Sequence, residues 1–175
     1  NVIDKFPFAS DGIATDVGEL TVAKYGSTGQ SSSVSGYASG GQAPPVIYDA
    51  IEKFPFASDG NATEVGNLTK DIAKAAGQTS TESGYTSGNL EPTVSDAIEK
   101  FPFASDGNAT AVGNLTVAKN RQTGQSSTES GYTSGGDLGP SVTNVIDKFP
   151  FASDTNATPV GTLANARANS TGQSS

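Results

Sequence analysis

Lys-Phe-Pro-Phe-Ala-Ser-Asp occupies residues 5–11, 53–59, 100–106 and 148–154, at spacings of 48, 47 and 48. Gly-Gln follows the same spacing at Gly29, Gly77, Gly124 and Gly172, and so does Ala-Thr-x-Val-Gly from Ala14, Ala62, Ala109 and Ala157. Gly-Tyr-x-Ser-Gly recurs three times, from Gly36, Gly84 and Gly131. Self-similarity at a period of about 20–50 residues marks a repeat architecture, in which each unit buries its apolar surface against a neighbour. The one-residue difference in period falls between the Gly-Tyr motif and the next Phe-Pro-Phe, which places a loop there.

Each unit reads as four short strands. In Ala50–Ala57 the two rings Phe54 and Phe56 fall on one face at period two. Ser58-Asp59-Gly60-Asn61 is turn chemistry, because Asp and Asn bond their own backbone and Gly permits positive φ. A strand around Val65 follows, from Ala62 to Leu68, then a thin strand at Gly77–Thr81, then Gly84–Ser87. Helices fit poorly: only Thr69–Ala76 carries any 3.6-residue period, and Pro55 would break a helix. The expected fold is all-β, with complete units over Gly29–Thr69, Gly77–Thr116 and Gly124–Leu163. Phe54, Phe56, Val65, Leu68, Tyr85 and their equivalents are the expected core. A parallel β-helix is the rival architecture, but its coils are usually shorter than this period.

Composition narrows the function. The formal net charge is -8, which repels phosphate backbones and anionic membrane surfaces, so neither nucleic acid nor membrane is an expected partner. There is no Cys, His or Trp. Disulfides and thiolate or imidazole metal sites are therefore excluded, along with the commonest general base. There is also no Met, so residue 1 is not an initiator, and the chain reads as a mature or excised form.

The candidate site residues all recur with the repeat. Asp4, Glu52, Glu99 and Asp147 precede Lys; they read as a carboxylate ring for a cation or as partners of Lys or Arg on a neighbouring strand. Asp11, Asp59, Asp106 and Asp154 read as Ca²⁺ ligands, the only cofactor entertained, or as Asx-turn acids. Gln30, Gln78, Gln125 and Gln173 either line an axial channel or tie neighbouring backbones together. Asn61, Asn67, Asn108, Asn114, Asn156 and Asn169 head Asn-x-Ser/Thr sequons and are glycosylation candidates. Acid and base in an active site need different environments, whereas these acids recur at equivalent positions, so no enzyme is expected. Tyr25, Tyr48 and Arg121 stand outside the pattern and form no constellation.

Gly-Tyr-Ala-Ser-Gly-Gly at 36–41, Phe-Pro-Phe-Ala-Ser and Val-Gly-x-Leu-Thr together resemble the kelch blade. The chain is also similar to tandem Lys-Phe-Pro-Phe-Ala-Ser-Asp arrays of phage and environmental sequences. The resemblance implies a β-propeller-like ring of about four blades, each of four short antiparallel strands, with the Gly-Gln strand innermost. Thin residues suit strands that converge on an axis. Departures from the pattern are the missing kelch Trp, Gly88-Asn89 in place of one double glycine, and a last repeat without Gly-Tyr.

In kelch order the 175 residues form one repeat domain: a partial unit over 1–28, units at 29–76, 77–123 and 124–171, and a partial unit at 172–175. The absent Gly-Tyr strand leaves two possibilities. The ends join in a composite blade, or the open edges pair with other chains. The expected function is a non-catalytic structural subunit of an extracellular or virion-surface assembly, fibre-like or a tandem array. A glycan- or protein-binding propeller is the alternative. The loops Gln42–Pro45, Asn89–Pro92 and Asp137–Pro140 differ only modestly, which favours the structural reading.

Overall fold

The computed structural model describes residues 1–90 and 93–172. Among them there is no helix, hence none long and apolar enough to cross a membrane. Over the described residues the chain is all-β, with sixteen strands in five antiparallel sheets. The partial first unit supplies a two-stranded sheet, β1 (Val2–Lys5) and β2 (Thr15–Glu19).

Three four-stranded sheets follow. The first is β3 (Thr28–Ser31), β4 (Ser35–Ser39), β7 (Ala50–Pro55) and β8 (Thr63–Asn67), in that spatial order. A small hairpin, β5 (Gln42–Ala43) and β6 (Val46–Ile47), sits in its loop. The second sheet is β9 (Ala76–Thr79), β10 (Ser83–Asn89), β11 (Ser95–Pro102) and β12 (Thr110–Asn114). The third is β13 (Thr123–Ser126), β14 (Ser130–Ser134), β15 (Val145–Pro150) and β16 (Thr158–Thr162). Glu91, Pro92 and the expected final strand beyond Gly172 lie outside the described residues, and Gly172 itself is not in a strand. No sheet closes on itself: each four-stranded sheet ends in a Gly-Gln strand on one side and an Ala-Thr-x-Val-Gly strand on the other.

The register explains why the motifs hold their spacing. In every complete sheet the Gly of Gly-Tyr stands opposite the first Phe of Phe-Pro-Phe: Gly36 with Phe54, Gly84 with Phe101, Gly131 with Phe149. The Phe ring lies across the glycine, where any Cβ would collide with it. An aromatic covering a cross-strand glycine is a recognised way to stabilise a strand pair that glycine alone would weaken. The adjoining Tyr stands opposite Lys, as Tyr85 does with Lys100 and Tyr132 with Lys148. A bulge follows in each unit, between Ile and the acid, at Ile3/Asp4, Ile51/Glu52, Ile98/Glu99 and Ile146/Asp147.

Consecutive sheets meet along their inner strands, β3 against β9 and β9 against β13. Here glycine is required by approach. A Cβ at Gly77 would stand inside the van der Waals shell of the Gly29 carbonyl oxygen, one at Gly124 inside that of Gly77, and one at Gly172 inside that of Gly124. A second column runs beside it, where Lys74 N–H donates to Gly26 O, Arg121 N–H to Lys74 O and Asn169 N–H to Arg121 O, at 2.8–2.9 Å. All four residues hold positive φ, between 54° and 70°.

Further out, the tyrosine of one unit covers the phenylalanine pair of the next. Tyr37 stacks on Phe103 with centroids 4.8 Å apart and lies 5.6 Å from Phe101, and Tyr85 repeats both distances with Phe151 and Phe149. Two apolar clusters result, one around Tyr37, Ile51, Leu68, Ile72 and Phe101, the other around Tyr85, Ile98, Leu115 and Phe149. The expected core needs correction at the first units and in the last, where Val160, the equivalent of Val65, is exposed. Phe101 and Phe149 are 1% and 2% exposed, but Phe56 is 46% exposed and Phe8 96%. Burial of the motif depends on a tyrosine from the preceding unit, and nothing of the kind reaches Phe6, Phe8, Phe54 or Phe56.

The glycine column gives a direct check. Gly124→Ala places a methyl against a backbone oxygen that side-chain rotation cannot relieve, and should cost at least about 1–3 kcal/mol. Gly60→Ala, where a Cβ meets nothing within 4 Å, should change little. Urea denaturation of the two variants checks the contrast.

Candidate functional site at the seams between units

The recurring acids sit on the third strand of each sheet, just past the bulge, and point into the seam with the preceding unit. Glu52 is fully buried; its carboxylate accepts from the Thr21 backbone N–H at 2.6 Å and from the Thr21 hydroxyl, and pairs with the equally buried Lys24. Asp147 is fully buried as well, accepts from the Thr116 hydroxyl at 2.6 Å and pairs with buried Lys119 at 2.9 Å. Glu99 accepts from Thr69 N–H at 3.0 Å and from the Thr69 hydroxyl. Among the described residues no lysine pairs with it, because Ile72 occupies the repeat position held by Lys24 and Lys119. Asp4, in the first unit, is exposed. Glu52, Glu99 and Asp147 therefore lie one in each of the three seams, Asp4 lies outside them, and the four form no common carboxylate ring.

Electrostatics follows from this geometry. Burial pushes the Glu52 carboxyl up, but hydrogen bonds from Lys24 and Thr21 outweigh it and hold the group below its ordinary value of 4.5. Burial pulls the Lys119 ammonium below its ordinary 10.5, with Asp147 opposing the shift.

The turn after Phe-Pro-Phe-Ala-Ser makes the outer half of each seam. Asp59, Asp106 and Asp154 pair with Lys5, Lys53 and Lys100 of the preceding unit at 3.0–3.3 Å. Exposed ion pairs of this kind contribute little individually. Asp11 is exposed. Among the described residues no three acidic side chains come together as a cation site, and the proposed Ca²⁺ ligands stand in four separate turns.

The Asn of that turn has a clearer task. Asn61 Oδ1 accepts from Glu19 N–H at 3.1 Å, Asn108 Oδ1 from Asn67 N–H and Asn156 Oδ1 from Asn114 N–H, both at 3.0 Å. The next residue returns the bond: Ala62, Ala109 and Ala157 donate to Glu19, Asn67 and Asn114 carbonyls at 2.8 Å. Ala-Thr therefore continues a turn that clasps the last strand of the unit before.

Of the sequon residues, Asn61, Asn108, Asn114, Asn156 and Asn169 are exposed and Asn67 is half-buried. Asn67 and Asn114 use their Nδ2 groups on Asp49 and Asp96, at 3.0 and 2.9 Å.

The glutamines tie inner strands together. Gln30 Nε2 donates to Tyr85 O at 2.9 Å and Gln78 Nε2 to Tyr132 O at 3.1 Å, each reaching the following unit. Ser39, Ser87 and Ser134 hydroxyls donate to Gln30, Gln78 and Gln125 Oε1 within the same sheets. Gln173 lies outside the described residues. An open cleft of about 690 Å³ runs across the inner-strand ends, lined by Thr79, Ser126 and Thr128 with Tyr37, Phe54 and Phe56 at one side. Another, of about 580 Å³, lies between the second and third sheets, beside Lys100, Lys148, Glu82, Glu129 and Phe151.

The sequence singles out the acids, glutamines and turn residues, and pairing of the recurring acids with lysine is found for Glu52 and Asp147, but their threonine partners were missed. Thr21, Thr69 and Thr116 recur in a Leu-Thr pair in three of the four units, the last having Leu163-Ala164, and that recurrence was the available signal. Lys24 and Lys119 recur only twice and gave none.

Two checks follow from the seams. Lys119→Met leaves Asp147 buried without its cation and should cost about 3–5 kcal/mol, whereas Lys119→Met with Asp147→Leu should recover most of that loss. For Glu52, the unfolded chain takes up the proton first as pH falls, so its contribution is present above pH 4.5 and is lost as pH drops through the lower folded value. Melting curves of Glu52→Gln should accordingly fall less steeply with acid than those of the parent; parallel curves would exclude the effect. No protein-family model and no curated protein matches the chain.

Proposed function

We propose that the chain is a non-catalytic structural repeat module, built of kelch-like propeller blades, that associates through its open edges in an extracellular or virion-surface assembly. The observation carrying this reading is that the polar groups singled out in the sequence serve seams between units. Acids, threonines, asparagines and glutamines of one unit bond to the next. A scaffold that commits its recurring polar groups to joining copies of itself is suited to extension. The blade assignment is supported by four-stranded meanders that meet along thin inner strands. The number of blades, about four, rests on the repeat count.

The first described unit carries exposed apolar side chains. It exposes Phe6 at 59%, Phe8 at 96% and Ile13 at 93%, on a sheet of only two strands. Exposed apolar side chains of this kind suit packing against a further copy of the repeat, in the same chain or another. Contacts that do not close on themselves give filaments. The alternative, a glycan- or protein-binding propeller, draws support from the cleft beside Lys100, Lys148, Glu82, Glu129 and Phe151, which combines charge with an aromatic face.

Sedimentation velocity over a wide concentration range tests the assembly reading. Concentration-dependent growth, with linear particles in negative-stain images, is the expected outcome. A monodisperse monomer at the highest concentration overturns it. Loss of growth in Phe8→Ser with Ile13→Ser, an exposed pair whose replacement leaves the core intact, would locate the contact.

A further inference from the structure

We propose that the seam between the second and third four-stranded sheets holds a desolvated monovalent cation, Na⁺ or K⁺, ligated by the side-chain oxygens of Asn89, Asn120 and Gln122. The inference is independent of the assembly reading and concerns an internal seam.

These three residues break the repeat. Asn89 stands where the other units have Gly41 and Gly136. Asn120 stands where they have Tyr25, Ala73 and Ala168, and Gln122 where they have Ser27, Ala75 and Ser170. Elsewhere the seam is built without an amide at any of these positions. All three are nonetheless buried here, at 3%, 1% and 5% exposure. Burying an amide is costly unless each of its polar atoms finds a partner.

The three share one stretch of the seam. A Cβ on Gly88, the neighbour of Asn89, would stand 2.5 Å from Gln122 Nε2 and 2.4 Å from the Lys119 carbonyl oxygen. One on Gly136 would stand 3.2 Å from both Gln122 Cβ and the Asn120 carbonyl oxygen. The amide orientations are fixed by their bonds. Asn120 Nδ2 donates to Asp137 O at 3.1 Å, and Gln122 Nε2 donates to Ser87 O. Turning either amide over would set oxygen against oxygen, so Asn120 Oδ1 and Gln122 Oε1 face away from those bonds. Asn89 Oδ1, Asn120 Oδ1 and Gln122 Oε1 are buried, and no described residue donates to them.

Chemistry selects the guest. The three open atoms are neutral carbonyl oxygens, the type that replaces the hydration shell of an alkali ion. Ca²⁺ asks for carboxylates in its oxygen set. The neighbouring acids are committed elsewhere. Asp137, whose carbonyl holds Asn120, gives its carboxylate to Arg121 at 3.1 Å and to Gly139 N–H at 2.8 Å. Asp147 is taken by Lys119 and Thr116. Each acid is thus neutralised by its own base, which leaves the surroundings without net charge. A single water has two protons to give and would leave one of the three oxygens unmet. A cation serves all three at once, and the net charge of -8 on the chain draws cations to it.

The repeat supplies its own control. Asn120→Ala with Gln122→Ala writes the residues of Ala73 and Ala75 into the seam. Melting of the full chain is followed in potassium, sodium and choline nitrate at one ionic strength, about 0.15 M. The melting temperature should be higher by about 3 °C or more in at least one alkali salt than in choline, and the difference should vanish in the double variant. Thallous ion, an alkali-ion probe read by thallium NMR, should bind the parent at one saturable site and be displaced by K⁺ or Na⁺. Asn89→Gly, the residue of Gly41 and Gly136, should weaken that binding about tenfold. Equal melting in all three salts would mean that ordered water alone fills the seam, and overturns the proposal. A salt difference that survives in the double variant places the ion elsewhere and overturns it too. Stronger stabilisation by Ca²⁺ than by either alkali ion refutes the argument from neutral donors. Should the double variant fail to fold, the thallium titration of the parent and of Asn89→Gly decides, and absence of displaceable binding up to about 0.1 M sinks the site.

Discussion

Everything else in the seam depends on how close two backbones can come at the inner strands. Because Gly77, Gly124 and Gly172 carry no Cβ, each settles against the carbonyl oxygen of the equivalent glycine in the unit before. That contact fixes the separation and rotation between consecutive sheets. The reach of Tyr37 and Tyr85 onto the next phenylalanine pair, of the Asn turn onto the preceding outer strand, and of each acid onto a threonine are all set by it. A bulkier residue in the column would open all three layers of the seam together.

The seams are unusual in how much polar material they bury. Glu52, Asp147, Lys119, Gln78 and Thr133 are as fully enclosed as Ile51 and Ile98. Hydrophobic burial alone would tolerate sliding one sheet over another, whereas a buried carboxylate must find its particular hydroxyl and amide. The polar groups therefore specify register between units, and the aromatic pairs supply much of the attraction. Buried ion pairs are close to neutral in stability against an apolar replacement. That is consistent with the second seam, where Ile72 stands in for lysine and Glu99 retains, among the described residues, its bonds to Thr69.

Within a unit, the strands were legible in the sequence. Phe-x-Phe at period two, Asp-Gly-Asn turns and the thin Gly-Gln segment each act over a few residues, and period and phase followed from simple recurrence. What could not be read lies between units. Glu52 meets Lys24, Asn108 meets Asn67 and Tyr37 meets Phe101 and Phe103, pairs separated in sequence by 28 to 66 residues and set by a rotation that no local pattern records. The same blindness explains Phe8 and Phe56. The motif is identical in all four units, but its burial is decided by a residue in the preceding one. The turn acids were weighed as cation ligands or turn formers, and their lysine partners came into view only with the fold.

The dominance of neighbour-to-neighbour contacts bears on how the molecule comes apart. In a linear array, stability is a sum of unit terms and interface terms, so damage at one seam need not spread to the next. Opening then advances in steps of one unit rather than all at once, and the loops between Gly-Tyr and Phe-Pro-Phe become accessible in turn. A protease acting on such a chain would leave a ladder of fragments with rungs 47 or 48 residues apart, the imprint of the repeat on its own degradation.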